Sequence, residues 1–482
     1  MKDIRLVFLF FLILWTGRSC AQQAAKDIEP NAVVPTSQQI AYQKMELIGF
    51  IHFGVNTFSN REWGTGREDP GIFNPTKLDA RQWAAVAKKA GIRELIITAK
   101  HHDGFCLWPS KYTSHSVKSS PWKNGKGDVV KELSEACREE GIRLGIYLSP
   151  WDMHEPTYGT SGYNQYYLNQ LGELLTGYGT VSEVWMDGAK GENAKNMEYD
   201  FDAYRSLIRR LQPDALIFSD AGPGVRWIGN EKGIAGTTNW SMINNDQIKI
   251  GHADPVYLNE GDPRGNRWLP GECDVSIRPG WFYHASQDTL VKSPRELVDL
   301  YYKSVGRNGT LLLNLPPDQD GLWKDKDINN LLEFRSILDE TFYTDLALGK
   351  KVTASGWRLH NDRFSPLNVT DSSDESYWAA DDQINKSWLE IDLGSAVPFD
   401  RIMIQEPIRF GQRISGFTLE ARVGGEWKTI SRGTTVGYKR LLRIEPVTAD
   451  KVRLDIVNAN NTPAISHFGI YKASSREPLI VD

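Results

Sequence analysis

Ser182-Glu183-Val184-Trp185-Met186-Asp187-Gly188-Ala189-Lys190 is a short apolar run that stops abruptly at an acid and a glycine. Val184 to Met186 reads as a buried strand, and Gly188 marks the turn that ends it. In a parallel α/β barrel, catalytic side chains sit at the C-terminal ends of strands. Asp187 is therefore a candidate catalytic carboxylate; the plain alternative is an Asp that caps the following turn. Recurrence of the same pattern along the chain decides between them.

Upstream, Leu47 to Val55 reads as a first strand carrying His52, with Glu62 and Trp63 in the loop beyond. Asp79 to Gln82 opens a helix that Gly91 closes. Leu95 to Ala99 is a second strand, ending in Lys100-His101-His102-Asp103-Gly104. After a helix over 128–140, Arg143 to Leu148 delivers Tyr147 and then Ser149-Pro150-Trp151-Asp152. A helix from Tyr163 to Leu175 leads into the Asp187 strand.

Downstream, Tyr199 to Leu211 is helical and Leu216 to Ser219 is a strand running into Asp220 and a loop with Arg226 to Glu231. Pro255 to Leu258 reads as a strand ending at Asn259-Glu260, and the polar segment from Glu272 to Trp281 reads as rim. Ser293-Pro294-Arg295-Glu296 combines an N-cap, a first-turn proline and a capping-box glutamate. Leu311 to Leu315 is the eighth strand. Alternating strands and helices predict an α/β fold, a (β/α)8-like barrel over 28–343. From 350 to 482 short alternating strands predict an antiparallel β-sandwich.

The N-terminus, residues 1–21, has the form of a signal peptide: Lys2 and Arg5, then an apolar run from Leu6 to Trp15, then Ser19-Cys20-Ala21. Export to the periplasm or the extracellular space is the expectation, with a membrane anchor only if Cys20 carries lipid. The three remaining cysteines, Cys106, Cys137 and Cys273, do not make a disulfide framework. A net charge of −5, spread without blocks, argues against nucleic acid or an anionic membrane as partner. The 16 Trp and 18 Tyr fit the platforms on which sugar rings pack, or simply the core of a large barrel.

Tandem His101 and His102 raise a metal reading, since with His52 and a carboxylate they would make a ligand set, but no metal-binding spacing accompanies them. Hydrogen bonding to a polar ligand such as sugar hydroxyls is the alternative, and a structural role the bland one. Glycosidic cleavage needs two carboxylates, and Asp187 suits the nucleophile. Glu231, beside Trp227 and Ile228, suits an acid kept protonated. Glu260 and Glu272 rival it by position, and a surface Glu with no chemistry is the alternative for all three.

His52-Phe53-Gly54, Glu62-Trp63, the stretch from Lys100 to Phe105, Tyr147, Trp185 to Gly188 and the Arg226-to-Glu231 loop together resemble the α-L-fucosidases of glycoside hydrolase family 29. The resemblance implies a retaining exo-enzyme acting on fucosylated oligosaccharides or glycoconjugates without a required cofactor. Asp187 would be the nucleophile and Glu231 the acid/base. His52, Glu62, Trp63, His101, His102, Tyr147, Arg226 and Trp281 would bind substrate. The Gly229-Asn230-Glu231 loop looks like that of the subfamily preferring α-1,3 and α-1,4 linkages in Lewis-type glycans. The C-terminal pattern from Trp388 to Gly394 is similar to discoidin-like, coagulation-factor type C domains. Some of these bind sugars or a structural calcium, for which Asp371, Asp374 and Asp381 are the candidates. A catalytically inactive glycan-binding protein, a metal-dependent hydrolase and a fucosidase of broad specificity are the competing readings.

Overall fold

The computed structural model describes residues 26–252, 254–477 and 480–481, so the signal-peptide and lipid-attachment readings fall outside the described residues. Eight parallel strands close a barrel: β1 Leu47–Ile51, β2 Glu94–Lys100, β3 Arg143–Leu148, β4 Glu183–Trp185, β5 Leu216–Ser219, β6 Val225–Trp227, β7 Gly271–Ser276 and β8 Gly309–Asn314. Each strand pairs with its sequence neighbour, and β8 returns to β1 with Leu47 opposite Leu311.

Two expectations for the second half are corrected. Pro255–Glu260 is a helix, capped by Asp254 and begun by a proline that cannot donate to a ladder but suits a first turn. The strands are instead Val225–Trp227, inside what read as a loop, and Gly271–Ser276, inside what read as rim. The inward positions of β7 are polar, Glu272 and Asp274, and β6 is only three residues long with a buried arginine on its outward face, so neither showed an apolar alternation.

Because side chains alternate along a strand, every second residue points into the barrel. Phe50, Tyr147, Trp185, Phe218, Val225 and Leu312 form one interior cluster with Tyr42 and Met45, whereas Val184 and Met186 pack outward among the helices. Trp185 and Phe218 stack at 4.0 Å between ring centroids. Below them lies a polar layer: Glu272 accepts from Trp185 Nε1 at 2.8 Å and from Tyr42 Oη at 2.5 Å. Truncating such a buried aromatic costs about 3–5 kcal/mol, so this layer holds up the floor of whatever lies above.

Helix Asp325–Phe342 closes the barrel domain, and β9 Lys351–Ala354 opens the antiparallel domain. Its main sheet runs β9, β10 Ser387–Gln405, β13 Arg440–Ala459, β11 Ile414–Val423, β12 Glu426–Gly433, with β14 His467–Tyr471 also on β10. The separate strands expected at 388–394 and 401–405 are one bent strand, its register broken between Asp392 and Val397. The two domains meet at the start of β1: Glu46, the residue before it, accepts from Tyr438 Oη at 2.8 Å and pairs with Lys439. Ser241, Asn308 and Gln412 knit the same seam. Among the described residues no helix is long and apolar enough to cross a membrane.

Candidate active site

Two residues beyond the inward side chains of the barrel interior, the inward position recurs at the mouth of the barrel. His52 follows Phe50, Asp187 follows Trp185, Asp220 follows Phe218, Trp227 follows Val225, Asp274 follows Glu272 and Asn314 follows Leu312. All but Asn314 border one cavity of about 270 Å³, together with Trp63, His101, His102, Tyr147, Glu231 and Trp281.

Asp187 stands on the aromatic floor. Its Oδ2 accepts from Tyr147 Oη at 2.9 Å and its Oδ1 from Ala189 N at 2.8 Å. Burial pushes its carboxyl above the usual range, and those two donors pull it back toward ionisation. His102 Nε2 lies 3.7 Å from Asp187 Oδ2. Burial pulls His102 and His52 down to about 3 and His101 further, so all three rings are neutral at ordinary pH. No imidazolium neutralises Asp187.

The loop carrying the tandem histidines is rigid by construction. Lys100 and Asp152 form a fully buried ion pair at 2.8 Å. Asp103 accepts from Asn56 Nδ2 and Phe105 N. Gly104 has φ +81°, and a Cβ there would meet Asp152 Oδ1 at 2.6 Å, so only glycine fits the turn.

Glu231 enters from the loop after β6, at the exposed side of the cavity, and accepts from Trp281 Nε1 at 3.2 Å. Burial raises its pKa, and the negative charges of Asp187 and Glu62 push the same way against the Trp281 hydrogen bond. Burial thus raises both carboxyls, offset by two donors at Asp187 and by one at Glu231, which neighbouring negative charge pushes further up.

The rival acids lie elsewhere. Glu260 is exposed on the helix after β6 and does not border the cavity, and Glu272 is sealed beneath Trp185. Arg226, expected to contact substrate, is corrected: its fully buried guanidinium donates to the carbonyls of Leu258, Leu269 and Trp240 and to Asn239 Oδ1, tying three loops together outside the cavity. Glu62 also does not border the cavity. Its carboxylate receives Trp281 N at 2.9 Å and contacts His284 Nε2 at 2.6 Å, so it acts on Trp281. Trp63 is 45 % exposed and stands edge-on to His102 and Trp151, a free aromatic face at the entrance.

Asp220 and Asp274 were not singled out individually as site residues in the sequence, yet both border the cavity. Asp274 accepts from Trp227 Nε1 at 2.9 Å, and Asp220 from Gly251 N at 2.7 Å. Strand alternation counted from Phe218 and Glu272 would have found them. As for metals, among the described residues no group of three or more His, Cys, Asp and Glu has metal-holding geometry. The calcium expectation is corrected too: Asp371 accepts from Ser373 N and Ser376 Oγ, Asp381 from Leu359 N, and Asp374 sits 3.7 Å from Lys44, so the three do not converge.

This geometry agrees with the known proteins the chain resembles. The α-L-fucosidase family model matches residues 37–340 and the F5/8 type C domain model residues 351–468. Alpha-L-fucosidase 1 of Arabidopsis thaliana is 49 % identical over 477 residues, covering 98 % of this chain and 94 % of that protein. The crystal structure of SpGH29 superposes with a TM-score of 0.89 at 46 % identity, over 93 % of this chain and all of that one (100 %). A Ruminococcus gnavus GH29 fucosidase in complex with fucose has a TM-score of 0.87 at 38 % identity, over 94 % of this chain and 97 % of its own. The cavity at the C-terminal mouth of the barrel, the antiparallel domain behind it and these likenesses over nearly the whole length agree: the chain belongs to the α-L-fucosidase family of glycoside hydrolases and carries a C-terminal F5/8 type C domain.

Proposed function

We propose that the enzyme is an exo-acting, retaining α-L-fucosidase that removes α-1,3- and α-1,4-linked fucose from branched, Lewis-type glycans. The observation that carries the mechanism is the pairing of Asp187, given two donors by Tyr147 and Ala189 on a strand end, with Glu231, which has one donor and is pushed toward its protonated form by burial and by neighbouring negative charge. Asp187 attacks the anomeric carbon while Glu231 gives its proton to the departing glycosidic oxygen. Glu231, now a carboxylate, then takes a proton from water, which attacks the fucosyl ester and frees Asp187. A cavity of about 270 Å³ fits one monosaccharide, which supports exo action. Export is part of the same proposal and rests on the sequence of residues 1–21.

The linkage reading rests on the resemblance of the Gly229-Asn230-Glu231 sequence to the loop of the α-1,3/1,4-preferring subfamily. Fucose release from a Lewis-type trisaccharide and from 2′-fucosyllactose, side by side, tests it. Release mainly from the branched sugar is expected; equal release would leave a broad-specificity fucosidase. The anomer formed first from an aryl α-L-fucoside, read by proton NMR, tests retention. α-Fucose is the expected product and β-fucose would reject it.

A further inference from the structure

We infer that Ser149 and Asn314, neither of which borders the cavity, set the tautomers of His102 and His52, so that both rings turn an unprotonated Nε2 toward the sugar and accept protons from its hydroxyls. The inference rests on reading this cavity as the fucose site and names how that site recognises hydroxyls.

Ser149 Oγ lies 2.6 Å from Trp151 O and 2.7 Å from His102 Nδ1. A carbonyl can only accept, so the single hydroxyl proton of Ser149 goes to Trp151. Toward His102 the hydroxyl presents a lone pair, and Nδ1 must carry the hydrogen. The opposite tautomer would face two lone pairs at 2.7 Å. A neutral ring with hydrogen on Nδ1 has a bare Nε2, the atom 3.7 Å from Asp187.

Asn314 applies the same logic to His52. Its Nδ2 donates to Trp281 O at 2.8 Å and Ser276 Oγ at 2.9 Å, using both hydrogens. Its Oδ1 receives His52 N at 3.2 Å and lies 2.9 Å from His52 Nδ1. A flipped amide would set its NH₂ against the His52 N–H and its oxygen against the Trp281 carbonyl, so the orientation is fixed. His52 Nδ1 therefore donates, and Nε2 is left bare.

His101 completes the pattern from the other side. Its Nδ1 is buried without a partner. An unmet acceptor costs less than an unmet N–H in such a place, so its hydrogen sits on Nε2. The three rings give the sugar two acceptors and one donor. The arrangement also keeps His102 from donating to Asp187, whose donors remain Tyr147 and Ala189.

The test uses full-length protein labelled with ¹⁵N-histidine, with His102→Asn and His52→Asn serving only to assign signals. Wild type should show hydrogen on Nδ1 and none on Nε2 at both histidines. In Ser149→Ala the His102 signal should move toward the Nε2–H form, and kcat/KM on an aryl α-L-fucoside should fall about 10–100-fold, the scale of one lost hydrogen bond to a buried group. Ser149→Thr should restore both. Among monodeoxyfucosides, one should show no further loss with Ser149→Ala, because the hydroxyl that His102 receives is already gone. Hydrogen on Nε2 of His102 in wild type would overturn the inference, even if Ser149→Ala did not fold. So would a loss of activity in Ser149→Ala with the tautomer unchanged and all deoxyfucosides equally affected. Wild-type signals as expected from a protein that released no fucose would uphold the tautomers and reject the functional reading alone.

Discussion

Tyr147 Oη donates to Asp187 Oδ2 at 2.9 Å across two neighbouring strands whose register sets Tyr147 opposite Trp185. The contact is built into the barrel: the residue two positions beyond Trp185 on the inward face must arrive beside the tip of Tyr147. This hydrogen bond favours the carboxylate, so Tyr147→Phe should raise the Asp187 pKa. The acid limb of the kcat/KM profile should move to higher pH by up to about one unit, with a loss of about tenfold at neutral pH. An unmoved acid limb would assign that limb to another group.

On the proposed mechanism the alkaline limb belongs to Glu231, which must be protonated to act as acid, so activity should fall as pH rises through its pKa. Trp281 Nε1 stabilises its charged form. Trp281→Phe should therefore raise the Glu231 pKa and carry the alkaline limb upward, in kcat/KM measured on a fucosylated oligosaccharide, whose leaving group needs the proton.

Glu231→Ala and Glu272→Gln should separate chemistry from support. With Glu231 replaced, turnover should drop far more on a sugar leaving group than on an activated aryl fucoside, which needs little protonation. With Glu272 replaced, the hydrogen bonds to Tyr42 and Trp185 are weakened. The result should be a lower Tm, with activity on both substrates reduced in proportion. Equal loss on both substrates for Glu231→Ala would remove it as the acid.

Glu46 ties the two domains. Burial works against its charge, but Lys439 and the hydroxyls of Tyr301 and Tyr438 outweigh that and hold its carboxyl below the usual range. A lowered folded pKa contributes stability at pH above the unfolded value and loses it as pH falls through the folded one. Glu46→Ala should cost about 3 kcal/mol near neutral pH, the lower end for breaking a buried pair because this one is not wholly buried. The gap to wild type in denaturant unfolding should close on acidification.

Much of this was legible in the sequence because the outward strand faces, the helix caps and the glycines are strong local signals. Ser293 and Glu296 form the capping box read from their spacing. Asp187 and Tyr147 come together as the strand-end argument requires. β7 was missed because Glu272 and Asp274 point inward, where an apolar residue was expected, and β6 because it is three residues long with Arg226 on its outward face. Arg226 could not be told from a ligand-binding arginine, since its burial depends on carbonyls from Trp240, Leu258 and Leu269 that only the fold brings near. Ser149 and Asn314 were visible as strand-end residues, but their effect runs through a second side chain.

The most direct test of the account is peptide mapping after inactivation with a 5-fluoro fucosyl fluoride, which keeps the ring hydroxyls and slows release of the sugar ester. A fucosyl adduct is expected on Asp187, in the peptide carrying Trp185 and Met186, and none in Asp187→Gly. An adduct on Asp220, Glu231 or Asp274, or turnover with no adduct at all, would contradict it.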